Sequence, residues 1–342
     1  MKPLRVGLVG MSQGWYATLY SRACARNKDV NFIGICDLGM SSQEVYACAE
    51  ITAQDFAQEL GVPLYHTFED LMNESPGALI ITCETADHHR YAIPAIEAGV
   101  HIFSGKPLTT STAAALQVAA VAARYPSIVV QPGEPARYED AMIQARQSVQ
   151  GGDIGKPLMA HLFVNHPTMT NHPWQMSFQR SGGPFVEFGT YVADLAEWIV
   201  GSRIKYVYAL GKNYIYHQVD GPDNGKLLCE HENGALSSLD ICCSITWNYP
   251  FLGLEIVGEN GCLRADYHNY PLIIHKSDGF KASEPRYALM NQREIEHFLE
   301  CIFEEKQPII TVEDYVSTIA IIEAALKSLQ LQDKVEVVRS ER

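Results

Sequence analysis

"LRVGLVGMSQGWYATLY", residues 4–20, starts as an apolar run, meets Gly10 and continues as residues able to form a helix. A strand turning on a glycine into a helix is where a dinucleotide-binding chain carries G-x-G-x-x-G. One glycine makes the tight turn, one admits a pyrophosphate, and one lets the helix pack closely. Counted from Gly10, that register gives Ser12 and then Trp15, with Gly14 one place early. By itself the stretch fits a cofactor loop with altered glycines or an ordinary strand–turn–helix.

The residues that follow repeat the alternation. Strand-like runs at 5–9, 31–37, 78–83, 100–104 and 127–131 alternate with helical stretches at about 14–27, 42–60, 67–73, 87–98 and 110–124, and Pro94 is expected to kink the fourth of these. Short apolar strands separated by helices imply a doubly wound parallel sheet with right-handed crossovers, covered on both faces. Ligands of such a sheet bind beyond the carboxyl ends of its strands. The first strand is followed by Gly10, Met11, Ser12, Gln13 and Gly14. Gly10 supplies the turn, and the free N–H groups of the next helix suit a pyrophosphate. Ser12 is small enough for close approach. Trp15 is expected to pack under the loop or to push the pyrophosphate outward. The second strand ends at Asp37, whose carboxylate would accept from a ribose 2′-hydroxyl and repel a 2′-phosphate, favouring NAD over NADP. An isolated aspartate there would equally cap a turn.

Bulk properties narrow the class. The chain has 342 residues, enough for two domains, and its 47% hydrophobic and 19% charged residues are ordinary for a globular protein. A net charge of −14 argues against a nucleic-acid partner, and no apolar run approaches the ~20 residues of a membrane span. The N-terminus lacks the layout of a signal peptide. Nine cysteines are scattered without a C-x-x-C pair, which reads as reduced thiols in a cytoplasmic protein with no metal site.

After the fourth and fifth strands, "AIPAIEAGVHIFSGKPL" (92–108) resembles the A-L-E-A-G-K-H-V-x-x-E-K-P-L segment of the Gfo/Idh/MocA family, the glucose–fructose oxidoreductase and inositol dehydrogenase group. "VPLYHTFEDLM" (62–72), "QGGDIGKPLMAHL" (150–162), "SGGPFVEFGTYVADLAEWIVG" (181–201) and "ITVEDYVSTIAIIEAALKSLQLQDKVEV" (310–337) resemble further segments of that family in order. The resemblance implies a Rossmann domain over 1–130 and, over 131–342, an α/β domain on a large, mainly antiparallel open sheet. Strand candidates for that sheet are 157–165, 204–211, 226–232, 235–246, 252–257, 261–266 and 271–275. The helix at about 312–330 is expected to pack back toward the first domain. Family members commonly form dimers or tetramers through the open sheet, so a homo-oligomer is expected.

The resemblance also assigns roles. Lys106 matches the lysine of E-K-P, which hydrogen-bonds the reacting oxygen near the nicotinamide, while Gly105 replaces the motif's glutamate. Tyr191 falls where the family has a His or Tyr proton donor, as in the glucose–fructose oxidoreductase and dimeric dihydrodiol dehydrogenase branch. A phenol with a reference pKa near ~10 needs a neighbouring cation at neutral pH, and Lys106 is expected to supply it. Glu187 stands at the motif's aspartate and is taken as a third catalytic residue. Cys83, Glu84 and His88 match the cofactor-contacting stretch after the fourth strand. Glu84 reads either as an acid near the nicotinamide ribose or as a solvated turn residue. Arg137 matches a substrate-facing arginine at the start of the second domain. In the loop at 165–183, Trp174 offers a sugar a stacking face, and His166 or His172 offers hydrogen bonds. The leading reading is an NAD-dependent oxidoreductase acting on a sugar, polyol or related hydroxy or keto compound. An NAD-dependent glycoside hydrolase of the same family and a non-catalytic NAD or sugar sensor are the alternatives.

Overall fold

The computed structural model describes residues 2–167, 172, 174–219, 221–245, 251–267, 270–276, 279–282 and 290–340. The first part of the chain runs β1 (Leu4–Val9), α1 (Gly14–Arg26), β2 (Val30–Cys36), α2 (Ser42–Ala49), α3 (Ala53–Leu60), β3 (Leu64–Tyr65), α4 (Phe68–Asn73), β4 (Ala78–Ile81), α5 (His88–Glu97), β5 (His101–Ser104), α6 (Thr112–Ala122) and β6 (Val130–Pro132). The six strands form a parallel sheet in the order β3-β2-β1-β4-β5-β6, the doubly wound layout that the alternation implied. β1 and β4, at its centre, contribute Val6, Leu8, Ala78 and Ile80 to one packed face and Val9, Leu79 and Ile81 to the other.

The helix expected over 42–60 is two helices. Glu50 adopts a left-handed φ of 56° that stops α2, and the Thr52 hydroxyl then caps α3 by accepting from Asp55 N at 3.1 Å. The last strand of the sheet lies at Val130–Pro132 rather than 127–131, because a turn from Tyr125 O to Ile128 N occupies the start of that run.

The rest of the chain runs α7 (Asp140–Gln150), β7 (Pro157–Asn165), α8 (Phe178–Ser181), α9 (Gly183–Val200), β8 (Ile204–Lys212), β9 (Asn224–His231), β10 (Leu236–Cys242), β11 (Leu252–Gly258), β12 (Gly261–Asp266), β13 (Tyr270–Lys276), β14 (Gly279–Ala282), α10 (Met290–Phe303), α11 (Val312–Leu331) and β15 (Val335–Glu336). Its nine strands form one open sheet in the order β14-β13-β12-β11-β7-β10-β9-β8-β15, antiparallel except for β7 beside β10. α7, α9 and α11 cover one face of it. The strand expected over 235–246 ends at Cys242, and residue 246 lies outside the described residues.

α10, which the sequence reading passed over, packs against α1 and inserts Ile295, Phe298 and Leu299 into the core of the first sheet. The start of α11 does the same on the opposite face through Val312, Tyr315 and Ile319. Two late helices therefore clamp the parallel sheet, and the start of α10 lines the cleft. Among the described residues no helix is long and apolar enough to cross a membrane.

Candidate active site

The opening loop is built by two glycines for different reasons. Gly10 has φ +78°, and a Cβ there would lie 2.4 Å from Cys83 Cβ, so the loop after β1 presses directly on the loop after β4. Gly14 starts α1 at φ +20°, and a Cβ on it would lie 1.8 Å from Cys48 O at the end of α2. The displaced glycine thus provides close packing, here against a helix. Trp15 does not pack under the loop: it is 51% exposed and lies at the lip of the cleft, edge-on to Tyr16. Met11, Ser12 and Gln13 are buried, the Ser12 hydroxyl 3.3 Å from Met40 Sδ.

Asp37 leaves β2 with its carboxylate 5% exposed, accepting from Gly39 N at 2.9 Å. Gln13 reaches the other end of the groove, where its amide donates to Lys106 O at 2.8 Å while its own carbonyl is buried without a partner. A positive-φ glycine at the turn, a carboxylate at the end of β2 and an unsatisfied amide acceptor beside Lys106 fit a dinucleotide laid across these strand ends. Gln13 also explains Gly105. A Cβ at 105 would lie 1.9 Å from Gln13 Oε1, so the amide fills the space that a larger residue at 105 would enter.

Lys106 follows β5 through Gly105 and precedes a cis proline. Its ammonium donates to Glu187 O at 2.5 Å and to Glu187 Oε1 at 3.1 Å, and lies 4.4 Å from the centre of the Tyr191 ring. An ammonium has three donors, and two of them go to Glu187. Burial raises the Glu187 carboxyl, and Lys106 followed by the Thr85 hydroxyl opposes it. The expected acidification of Tyr191 is absent. Burial pushes its phenol well above the ordinary range, with Tyr16 and Glu134 acting in the same direction. The ammonium faces the ring, and its hydrogen bonds go to Glu187.

Tyr191 and Glu187 line a cleft of about 300 Å³ with Gln13, Trp15, Tyr16, His166, His172, Gln175, Phe251, Tyr267, Met290 and Asn291. The His166 ring stacks on Phe188 at 4.1 Å, its Nδ1 is 2.6 Å from Pro167 O, and burial lowers it to about 4. His172 Nδ1 is 3.2 Å from Gln175 Oε1. Residues 168–171 and 173 of this expected binding loop lie outside the described residues.

Five proposed site residues have side chains that are buried or engaged within the fold. Arg137 is buried in a two-pronged bond to Asp194, both N···O distances 2.7 Å, and also donates to Asp314 and Ile309 O. A guanidinium committed to tying α9 and α11 together is not substrate-facing. Trp174 is 2% exposed beside Cys48, so it has no free stacking face, and Trp15 is the exposed indole at the cleft. His88 lies behind the lysine loop, its ring nitrogens 3.0 Å from Cys83 O and 2.9 Å from Pro107 O, which joins the ends of β4 and β5. Burial lowers it to about 4. Glu84 is ion-paired to Arg180 of α8, so it links the two halves of the chain and is not a solvated turn residue. Cys83 is buried against Gly10.

Tyr16 was missed by sequence reading. It sits one turn into α1, and its hydroxyl is 3.1 Å from the Tyr191 hydroxyl. Its neighbour Tyr20 donates to Glu294 at 2.7 Å, and Glu294 also accepts from Glu134 N at 2.6 Å. The spacing of Tyr16 and Tyr20 on one helix face was the available signal; the partners lie far away in sequence. Among the described residues no group of three or more His, Cys, Asp or Glu is arranged to hold a metal ion.

Comparison with known proteins agrees with this geometry. Residues 4–133 match the oxidoreductase family with an NAD-binding Rossmann fold, and residues 142–264 match the GFO/IDH/MocA C-terminal domain. The chain is 25% identical over 289 residues to scyllo-inositol 2-dehydrogenase (NAD(+)) of Bacillus subtilis, covering 81% of this chain and 83% of that protein. Among solved structures, myo-inositol 2-dehydrogenase from Lactobacillus plantarum superposes with a TM-score of 0.83 at 24% identity, covering 98% of this chain and 100% of the other. The scyllo-inositol dehydrogenase of Lactobacillus casei with bound NAD(H) and scyllo-inositol gives 0.81 at 21%, covering 98% and 99%. With both halves matched and the strand-end geometry in place, the chain belongs to the Gfo/Idh/MocA family of oxidoreductases, its N-terminal half an NAD-binding Rossmann fold.

Proposed function

We propose that this oxidoreductase acts on a neutral sugar or cyclic polyol, with Tyr191 exchanging the proton and Lys106 polarising the reacting oxygen. The observation that carries this reading is the Lys106–Tyr191–Tyr16 arrangement, in which the two tyrosines line the cleft and Lys106 is buried against the Tyr191 ring: the ammonium lies 4.4 Å from the ring centre and the two hydroxyls are 3.1 Å apart. Bound NAD supplies hydride transfer at its nicotinamide. Gly10 to Gly14 would hold its pyrophosphate, Asp37 its adenosine ribose, and the free Gln13 carbonyl its carboxamide.

The remaining N–H of Lys106 would donate to the substrate oxygen and stabilise negative charge developing there. Glu187 holds the ammonium in place and so does for Lys106 what a carboxylate at 105 cannot. Because burial keeps Tyr191 protonated, a lone tyrosinate is disfavoured. In reduction a protonated Tyr191 gives its proton to the oxygen that takes up negative charge and is reprotonated from solvent in the cleft, oxidation running the same steps in reverse, while the Tyr16 hydroxyl positions the phenol. In this reading Tyr191 stands for the His or Tyr proton donor of the family.

The lining supports an uncharged polyhydroxy substrate. Trp15, Tyr16, Phe251 and Tyr267 give aromatic faces and Gln13, Gln175 and Asn291 give amides, while Lys106 and Glu187 neutralise each other. Relatives named as inositol dehydrogenases point the same way. A cytoplasmic location is supported by nine free cysteines. NADH formation with a panel of inositols and sugars tests the substrate class. With the best substrate, Tyr191→Phe should lower kcat by ~10²–10⁴-fold and leave NAD+ binding intact, and Lys106→Ala should cost at least as much. Wild-type rates in both variants would overturn the assignment.

A further inference from the structure

Asp37 does not stand alone at the end of β2. β3 runs parallel to β2 with Tyr65 paired to Cys36, so the next residues, Asp37 and His66, leave the sheet side by side. Asp37 N donates to Tyr65 O at 3.0 Å, and His66 Nδ1 lies 3.0 and 3.1 Å from the two Asp37 carboxylate oxygens. The His66 side chain is 69% exposed and that of Asp37 only 6%. The imidazole therefore touches a buried carboxylate on one side and is open to solvent and ligand on the other.

We propose that His66 is a specificity-determining residue for the cofactor, acting through Asp37 and making the choice between NAD and NADP depend on pH. The inference rests on Asp37 meeting the adenosine ribose. With a neutral imidazole the site is anionic and repels a 2′-phosphate. With an imidazolium the carboxylate is neutralised, and a cation faces the position that the phosphate would take.

On α4, Glu69 and Asp70 act on Cys36, with Asp70 held by Thr67 at 2.6 Å. On α2, Glu44 is tied to Ser41 at 2.7 Å and is lowered mainly by that contact, with a smaller effect from Arg180 of α8. Burial pushes the Cys36 thiol up to about 11. Carboxylates, thiols and guanidinium groups ordinarily titrate outside the interval from about pH 5.5 to 8, whereas imidazole titrates inside it.

Calorimetric titration of the full chain with NAD+ and NADP+ at about pH 8 and about pH 5.5 tests the proposal. The ratio of Kd(NADP+) to Kd(NAD+) should fall about tenfold on acidification of the wild type. The 2′-phosphate itself takes up a proton near pH ~6, so His66→Gln measures that contribution alone and should show a change several-fold smaller. His66→Arg, with a permanent charge at an exposed position, should bring the ratio at about pH 8 down toward the wild-type value at about pH 5.5 and leave a pH dependence no larger than that of His66→Gln. Equal pH dependence in wild type and His66→Gln, or an unmoved ratio in His66→Arg, would overturn it. A wild type that binds NAD+ with no preference at about pH 8 would instead overturn Asp37 as the ribose contact.

Discussion

At the scale of single residues, the altered glycine motif is a relocation of function. Gly14 does the packing that the third glycine of the motif ordinarily does, because α2 and not a strand is the element that approaches it. An added methyl would be driven into Cys48 O at a φ of +20°. Gly14→Ala should therefore lower unfolding free energy by about 2–4 kcal/mol in urea denaturation. Gly39→Ala, also at positive φ but with open space around its Cβ, should cost only the ~1 kcal/mol of backbone strain. Equal losses would show that the contact with α2 does not matter. The same trade appears at Gly105, where Gln13 takes up the space and Glu187 provides the carboxylate next to Lys106.

At the scale of elements, α10 is the piece that completes the buried proton-bearing network. Its Glu294 meets Tyr20 of α1 and the backbone of Glu134 after β6. Burial raises Glu294 to about 8, so it is largely protonated at neutral pH, and burial followed by Asp194 raises Glu134 as well. A carboxyl whose folded pKa exceeds its unfolded value of ~4.3 contributes stability that is complete below that value and is lost as pH rises through about 8. Glu294→Gln imitates the protonated form: its carbonyl can accept from Glu134 N and its amide can donate to Tyr20. The gap in Tm in favour of the variant should widen by several degrees from about pH 5 to about pH 8, since ~1 kcal/mol moves Tm by about 2–4 °C in a protein of this class. A gap that does not change with pH would show that Glu294 is ionised throughout.

At the scale of the whole molecule, the nine-stranded sheet has one face covered by α7, α9 and α11, and among the described residues the other is open. Met159 is 60% exposed, Leu228 53% and Leu236 51%, around a shallow concavity of about 510 Å³ that Tyr206 and Tyr208 also line. Exposed apolar side chains of this kind, interspersed here with Glu230, Glu255 and Lys334, mark an interaction surface, and we propose that a second copy covers it. Sedimentation should show an oligomer for the wild type and a monomer for Met159→Glu/Leu228→Glu, with a circular dichroism spectrum that still reports the native fold. Monomeric wild-type protein at micromolar concentration would remove the inference.

The short strands β3 and β14 escaped, and the second sheet was expected from the family resemblance, but the local pattern of the chain determined the parallel sheet and placed most strands of both sheets within a few residues. It could do so because strand alternation, glycine turns and helix caps act over a few neighbouring residues. "GKPL" and "EFGTY" likewise announced Lys106, Glu187 and Tyr191 by their place in ordered segments. The tertiary structure decided what each side chain meets. It turned Arg137 to Asp194 and Trp174 into the interior, and placed Tyr16 against Tyr191 and His66 against Asp37. Apart from the adjacent strands that join His66 to Asp37, these partners are 57 or more residues apart in sequence. Such contacts arise from the packing of helices across the cleft, and no short-range periodicity encodes them.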